Sequence, residues 1–441
     1  MQTLTQPEDD VPTAAARRVD HLYLALGAGA AGGARWALDG IERIAVGRGD
    51  ARAARRRGTE LHVTCPDPWM SSAHLTLVRE RGHWVALDAG SRNGFQVNGA
   101  RQTRAVLLAE DVLEAGRTFF LVRTGEPAGA PVVELGAATG PGLVTLDPTL
   151  AEDLDELTRI ARARVPVLIA GPTGAGKERV ARAIHTGSGR AGPLVAVNCG
   201  ALPAGLVESE LFGHKKGAFS GAVADSAGLI VAASGGTLFL DELGDLPPPA
   251  QAALLRVLEE HEVRAVGATA AAAVDLRLVC ATHRDLEQAV DDGRFREDLL
   301  ARVAGFTITL PALAERRVDL GLLVGALVPP TTVLAASAAR ALFAYAWPRN
   351  VRELARVLER AVALADGGEL RPSHLPDEIA HAAWPAPAVG DAHDDPRRAQ
   401  LVELLERHRG NVSRVAADMG RVRQQVQRWL KSYGIDPARY R

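Results

Sequence analysis

The chain has 441 residues, more than one hydrophobic core usually supports, so several domains are expected. Apolar residues make up 47% and the formal net charge is −2, a globular composition that excludes a uniformly basic nucleic-acid coat but permits a local basic patch. Cys65, Cys199 and Cys280 are too few and too far apart for a disulfide framework or a zinc cluster. With no signal-peptide pattern in "MQTLTQPEDDVPT" and no apolar run of membrane-spanning length, they point to a cytoplasmic chain without a membrane partner.

After an N-terminal tail (1–19), residues 20–125 carry short alternating runs, "HLYLAL", "AHLTLV", "HWVALD" and "FQVNG", separated by Gly-rich turns. This rhythm predicts an all-β sandwich. Its turns hold "AVGRGD", "SSAH" and "AGSRNGFQVNG", and together these resemble a forkhead-associated (FHA) domain, a reader of phosphothreonine in partner proteins. The resemblance implies that Arg48, Ser71, Arg92 and Asn93 gather around one phosphate, with His74 bracing the loop from inside. A dianionic phosphate suits an arginine flanked by hydroxyl and amide donors. Turn chemistry alone also accounts for Ser71 or Asn93 taken singly. The run "ARAARRRG" (51–58) reads as a solvated basic loop, and 126–142 reads as a linker.

From 143 the texture changes to buried apolar strands, "VPVLIAG", "PLVAVNC", "GTLFLDE", "DLRLVCAT" and "GFTITLP", spaced by helical segments. This predicts a parallel α/β core over 143–312. "VPVLIAGPTGAGKERVARAIH" sets Gly171, Pro172, Thr173, Gly174, Ala175, Gly176 and Lys177 between a strand and an amphipathic helix, with Glu178 where a Ser or Thr would contact magnesium. Glycines let backbone N–H groups converge on phosphates, and the lysine reaches the outer ones. "GTLFLDE" ends a second strand in Asp241 and Glu242. Asp241 is placed to hold Mg²⁺ through water, and Glu242 to orient the attacking water. ATP and Mg²⁺ are therefore the expected cofactors.

"GPTGAGKE", "VNCGAL", "ESELFGHKKGAFSGA", "GGTLFLDELGDL", "FREDLLARV" and "WPRNVREL", in this order, resemble the AAA+ domain of bacterial enhancer-binding proteins, the activators of sigma-54 RNA polymerase. The resemblance covers 143–379. It implies that Asn198 couples the hydrolytic glutamate to the surface loops, that Arg296 and Arg302 are arginine fingers acting on a neighbouring copy, and that Arg352 is the lid arginine near the nucleotide. A homo-oligomeric ring follows. His283 replaces the asparagine that many relatives carry after "AT", and the helical lid (313–380) is short between Arg317 and Trp347. The resemblance also implies that Gly217, Ala218, Phe219, Ser220, Gly221 and Ala222 tip a loop that touches sigma-54. Gly217 and Gly221 permit a mobile tip, and Phe219 offers an apolar surface to a partner or folds back as a local anchor.

A Pro- and Asp-rich linker (381–396) leads to a small all-α tail (397–441), which has 11 Lys/Arg against 4 Asp/Glu. "VSRVAADMG" and "VRQQVQRWLKSYG" resemble a Fis-type helix-turn-helix turning at Gly420, and Arg421, Arg423, Gln424, Gln425 and Arg428 are the candidate contacts to double-stranded DNA. The whole reads as an ATP-hydrolysing transcription activator that remodels sigma-54 RNA polymerase. Its input is then a phosphothreonine-containing protein from a Ser/Thr kinase pathway. The alternative is a DNA-bound, phosphopeptide-binding scaffold or repressor with a degenerate ATPase.

Overall fold

The computed structural model describes residues 17–28, 32–136, 143–203, 205–384, 396–419, 423–433 and 435–440. Its first unit is a β-sandwich of strands β1 (Arg18–Leu26), β2 (Gly32–Ala37), β3 (Arg43–Arg48), β4 (Ala53–Arg57), β5 (Glu60–Cys65), β6 (Leu75–Glu80), β7 (His83–Asp88), β8 (Phe95–Val97), β9 (Ala100–Gln102), β10 (Arg104–Val106), β11 (Val112–Ala115), β12 (Thr118–Pro127) and β13 (Val132–Gly136). One sheet runs β13-β2-β1-β12-β11-β8-β9 and the other β10-β7-β6-β3-β5-β4. Between them Leu22, Leu24, Trp36, Ile44, Leu77, Trp84 and Phe120 form the inner core.

Two expectations change here. The basic run 51–58 is not a loop, because its centre is β4, the edge strand of the second sheet, with Arg55, Arg56 and Arg57 exposed. Exposed cations on an edge strand discourage pairing with another chain. Nor is 126–142 a simple linker, since β12 runs through Glu126 to Pro127 and β13 pairs antiparallel with β2 from Val132↔Trp36 to Gly136↔Gly32.

The second unit carries β14 (Val167–Ala170), β15 (Leu194–Asn198), β16 (Thr237–Asp241), β17 (Glu262–Val263), β18 (Ala272–Ala273), β19 (Arg277–Thr282) and β20 (Phe306–Thr309). Five of these form a parallel sheet in the order β15-β16-β19-β14-β20, and β17 and β18 make a hairpin. Helices α1 (Pro148–Ile160) and α2 (Lys177–Gly187) cover one face, while α3 (Val207–Phe212), α4 (Leu229–Ala232), α5 (Pro248–Glu260), α6 (Leu286–Asp291) and α7 (Glu297–Val303) cover the other. The central strands β14, β16 and β19 are largely apolar because successive residues enter opposite cores. Val167, Ile169 and Phe239 face α1 and α2; Leu168, Leu238 and Leu240 face α3 and α5.

The lid consists of α8 (Leu320–Leu327), α9 (Ala336–Ala344), α10 (Asn350–Ala365) and α11 (Asp377–Ala380). It shares a core with the sandwich. Tyr23 and Ala25 of β1, Val112 of β11, and Phe119 and Leu121 of β12 pack with Leu320, Leu342, Phe343 and Trp347, and the Phe119 and Phe343 rings stack 5.1 Å apart. Trp384, within the expected linker, packs onto the same cluster. Ion pairs flank it at Arg117–Glu369 (2.8 Å) and Arg340–Glu114 (2.7 Å). The backbones meet at Gly321, where a Cβ would lie 2.1 Å from the Ala25 carbonyl oxygen. Gly321→Val should therefore overpack this junction and cost ~1–3 kcal/mol. Thermal melting checks this, with Gly205→Ala, whose Cβ would meet nothing within 4 Å, as the unchanged control.

The tail folds as α12 (Pro396–Arg407), α13 (Val412–Asp418) and α14 (Arg423–Tyr433) around Leu401, Leu405, Val415, Val426 and Leu430. Asn411 caps α13 by accepting the Arg414 N–H (3.2 Å). Among the described residues no helix is long and apolar enough to cross a membrane, and Cys65, Cys199 and Cys280 are buried and unpaired.

Candidate functional sites

The phosphate loop lies at the carboxyl end of β14, inside the parallel sheet, where open α/β sheets bind ligands. Gly171, Gly174 and Gly176 have φ of +147°, +79° and +108°, and a Cβ at Gly174 would lie 2.2 Å from the Arg349 carbonyl oxygen of the lid. Gly176 begins α2 with no side-chain cap, leaving the helix N-terminus to an anion. Lys177 is 6% exposed, donates from Nζ to the Gly171 carbonyl (2.9 Å) and has its pKa lowered by burial. Glu178 turns away. Its carboxylate pairs with Arg182 (2.7 Å) on the exposed side of α2, while its backbone lies in the first turn of the helix beside Lys177.

Asp241 ends β16 in register with Asn198 of the neighbouring β15. Burial, reinforced by Glu242, raises the Asp241 pKa, and its Oδ1 accepts the Glu242 N–H (3.0 Å). Glu242 sits in the left-handed region at φ +55°, which swings its carboxylate toward Lys177 Nζ (3.9 Å). His283, just past β19, donates from Nδ1 to Glu242 Oε2 (2.5 Å). Asn198 Oδ1 accepts the Ala201 N–H (3.1 Å), fixing the turn beside the acid pair.

The lid closes over the loop through backbone contacts. Arg352 donates its N–H to the Gly174 carbonyl (3.3 Å), and its charge acts on both Lys177 and Asp241. Two residues that sequence reasoning passed over are closer still. Asn350, 3% exposed, donates from Nδ2 to the Thr173 carbonyl (3.0 Å) and accepts the Leu313 N–H (2.8 Å). Arg316, 8% exposed, donates to the Ala175 carbonyl (2.7 Å). Asn350 stood inside the quoted "WPRNVREL", whereas nothing local marks Arg316. The candidate fingers lie elsewhere on the surface. Arg296 pairs with Asp298 (2.6 Å) and Arg302 donates to the Leu258 carbonyl (3.0 Å); among the described residues neither touches the phosphate loop.

The structure gathers the four sandwich residues at one end of the sheets. Arg48 donates its N–H to the Ser71 carbonyl (2.9 Å), Arg92 donates its N–H to Ser71 Oγ (3.1 Å), and Asn93 donates from Nδ2 to the Trp69 carbonyl (2.9 Å). His74, fully buried, accepts the Ser71 N–H at Nδ1 (2.9 Å), so Nε2 carries the proton and donates to the Gly94 carbonyl (2.9 Å). It ties the Ser71 and Gly94 loops together from below.

In the segment Gly217–Ala222, the Gly217 N–H bonds to the Ala222 carbonyl (2.9 Å) and Gly217 and Gly221 have φ of +82° and +111°. The loop rests on the β17–β18 hairpin through the Lys215 N–H and the Val266 carbonyl (3.0 Å). Phe219 is half-buried against the edge of the His214 ring, 5.1 Å between centroids. Ser220 is exposed, and the apolar side chain that projects furthest is Val223, 82% exposed. In the tail Arg421 and Gly420 lie outside the described residues, as do the side chains of Gln424, Gln425 and Arg428, which belong to α14. Arg423 meets the Glu287 carboxylate of α6.

Comparison with known proteins agrees with this layout. Residues 44–116 match the FHA domain, 143–309 the sigma-54 interaction domain, 315–389 an AAA+ ATPase lid domain and 392–439 a homeodomain-like domain. The hydrogenase transcriptional regulatory protein HoxA of Bradyrhizobium diazoefficiens is 40% identical over 367 residues, 74% of this chain and 75% of HoxA. The transcriptional regulatory protein GlrR of Escherichia coli is 40% identical over 303 residues, 67% of this chain and 68% of GlrR. A crystal structure of NtrX from Brucella abortus in complex with ATP is 34% identical, covering 67% of this chain and 70% of that one with a TM-score of 0.48. With its sigma-54 interaction domain, ATPase lid, FHA domain and homeodomain-like tail, the chain belongs to the family of sigma-54-dependent transcriptional activators and is an AAA+ ATPase.

Proposed function

We propose that this ATPase drives open-complex formation by sigma-54 RNA polymerase under the control of a phosphothreonine-bearing partner. The observation that carries it is the convergence of Lys177, Asp241 and Glu242 at the ends of β14 and β16, with Asn350 and Arg316 of the lid on the same loop. Lys177 and the backbone of Gly171–Gly176 hold the ATP phosphates, Glu242 orients water, and Asn198 and His283 sense and position that carboxylate. Arg352 contacts the nucleotide from the lid. The half-buried Asp241 fits hydrated Mg²⁺, which when bound would neutralise phosphate charge. Arg296 and Arg302 complete the site of an adjacent copy in a ring, and α14 meets an upstream DNA site. ATP turnover that rises steeply with protein concentration tests the assembly; turnover proportional to concentration contradicts it.

On the input side, Arg48, Ser71, Arg92 and Asn93 hold the phosphate of a threonine phosphorylated by a Ser/Thr kinase pathway. Arg48→Ala should reduce binding of a phosphothreonine peptide by ~10-fold or more, a charge-assisted bond being lost, without changing basal ATP turnover. Isothermal titration against the phosphorylated and plain peptide reads it; equal binding of both by the parent overturns it. Transmission to the ATPase is supported by Arg123 of β12, which donates to the Glu315 carbonyl (2.8 Å), next to the Arg316 that reaches the phosphate loop.

On the output side, Phe219 leaves His214 to be buried by sigma-54. Phe219→Ala should keep ATP turnover and abolish capture of sigma-54 in the presence of a transition-state analogue of ATP, whereas Ser220→Thr keeps capture. Capture by Phe219→Ala equal to the parent assigns the contact to another residue.

A further inference from the structure

The recognition loops of the sandwich do not end in open solvent. Trp69 and Asn93, joined through the Trp69 carbonyl (2.9 Å), form one wall of a cleft of ≈ 340 Å³. The facing wall belongs to the lid: Ala335, Ala336 and Ser337 at the start of α9, then Arg340. On its floor Glu114, 5% exposed, is paired with Arg340 at 2.7 Å. Trp69 is 54% exposed, with the Arg117 guanidinium over its ring at 4.7 Å and paired in turn with Glu369 of the lid. Gln96 and Ser337 line the cleft with an amide and a hydroxyl that have no hydrogen-bond partner among the described residues.

We infer that this cleft receives the polypeptide flanking the phosphothreonine, so that lid helix α9 forms part of the phosphopeptide site. The inference rests on the phosphothreonine reading of Arg48, Ser71, Arg92 and Asn93. Continuity supports the occupant: Arg92 touches Ser71 Oγ and Asn93, the next residue, lines the cleft. A chain advancing ~3.3 Å per residue therefore enters it within a few residues of the phosphate. The charges present are already paired, Glu114 with Arg340 and Arg117 with Glu369, so the cleft suits uncharged side chains. The exposed Trp69 ring offers a face to an apolar one, and Gln96 and Ser337 offer hydrogen bonds to an extended backbone. A peptide seated this way touches sandwich and lid at once and favours the docked arrangement of the two.

The test uses the full chain and a peptide library with phosphothreonine fixed and its flanks randomised. The parent selects uncharged or apolar residues at a defined flanking position. Ser337→Trp, which fills the cleft from the lid side, lowers affinity for the selected peptide by ~10-fold or more and erases that preference, yet still prefers phosphorylated to plain peptide. Gln96→Ala, a milder change verified to melt like the parent, weakens the selected peptide by ~3- to 10-fold. Parental affinity and flank preference in both variants overturn the composite cleft. A parent that does not distinguish phosphorylated from plain peptide overturns the phosphothreonine reading and the cleft with it.

Discussion

Glutamine in place of Glu242 should cut ATP turnover by ~10²–10⁴ while ATP stays bound. The carboxylate is held on both sides, by the His283 N–H on Oε2 and by the Lys177 ammonium 3.9 Å from Oε1, in a backbone conformation with φ +55° that aims it at the phosphate loop. Glutamine keeps the shape and loses the negative charge that, in the proposed mechanism, orients and polarises water. In that mechanism binding relies on Lys177 and the loop backbone, which the change leaves intact. His283→Ala should cause a smaller fall, because it frees the carboxylate without removing it. Steady-state hydrolysis at saturating ATP, alongside equilibrium binding of a fluorescent ATP analogue, separates the two effects. Near-parental turnover by Glu242→Gln would show that another group activates the water.

Arg302→Ala should lower turnover by ~10³–10⁵, the range for an arginine finger supplied in trans. The guanidinium donates only to the Leu258 carbonyl among the described residues, on the surface and away from the chain's own phosphate loop. It is therefore free to serve a neighbour, more so than Arg296, whose charge is engaged by Asp298 at 2.6 Å. Mixing decides the point. Arg302→Ala supplies an intact Glu242 and Glu242→Gln supplies an intact finger, so two inactive preparations combined should regain turnover at their shared interfaces. A mixture as inactive as its parts would place the finger in cis or remove it from the mechanism.

The parts of the sites that were legible in the sequence are those built from near neighbours. Strand, glycine turn and helix around Lys177 lie within one local stretch, as do the acids that end β16, and the positions of Arg48, Ser71, His74 and Asn93 follow from turns between short strands. What escaped depends on contacts between distant segments. "HLYLAL" has the alternation of a strand with one buried face, yet Tyr23 and Ala25 enter the lid core while Leu22 and Leu24 enter the sandwich core. Both faces are covered, so the near-continuous apolar run was the truer signal. Leu146, fully buried between sandwich and lid, and Asp319, accepting from Thr145 Oγ1 and the Leu146 N–H at 2.7 Å each, show why the interval before 148 is not a free tether. Arg316 was invisible for the same reason: its partner Ala175 is 141 positions away. Phe219 is a different case, since glycines on either side allow both a projecting and a folded ring, and the His214 edge holds the folded one.

Transcription in a purified system tests the account most directly: sigma-54 RNA polymerase, a promoter carrying the protein's upstream site, ATP, and a phosphothreonine peptide selected by the full chain. Transcripts should require ATP hydrolysis, vanish with Glu242→Gln, and change on addition of the phosphorylated but not the plain peptide, a response that Arg48→Ala loses. Transcripts unaffected by Glu242→Gln, or a peptide response that persists in Arg48→Ala, would contradict it.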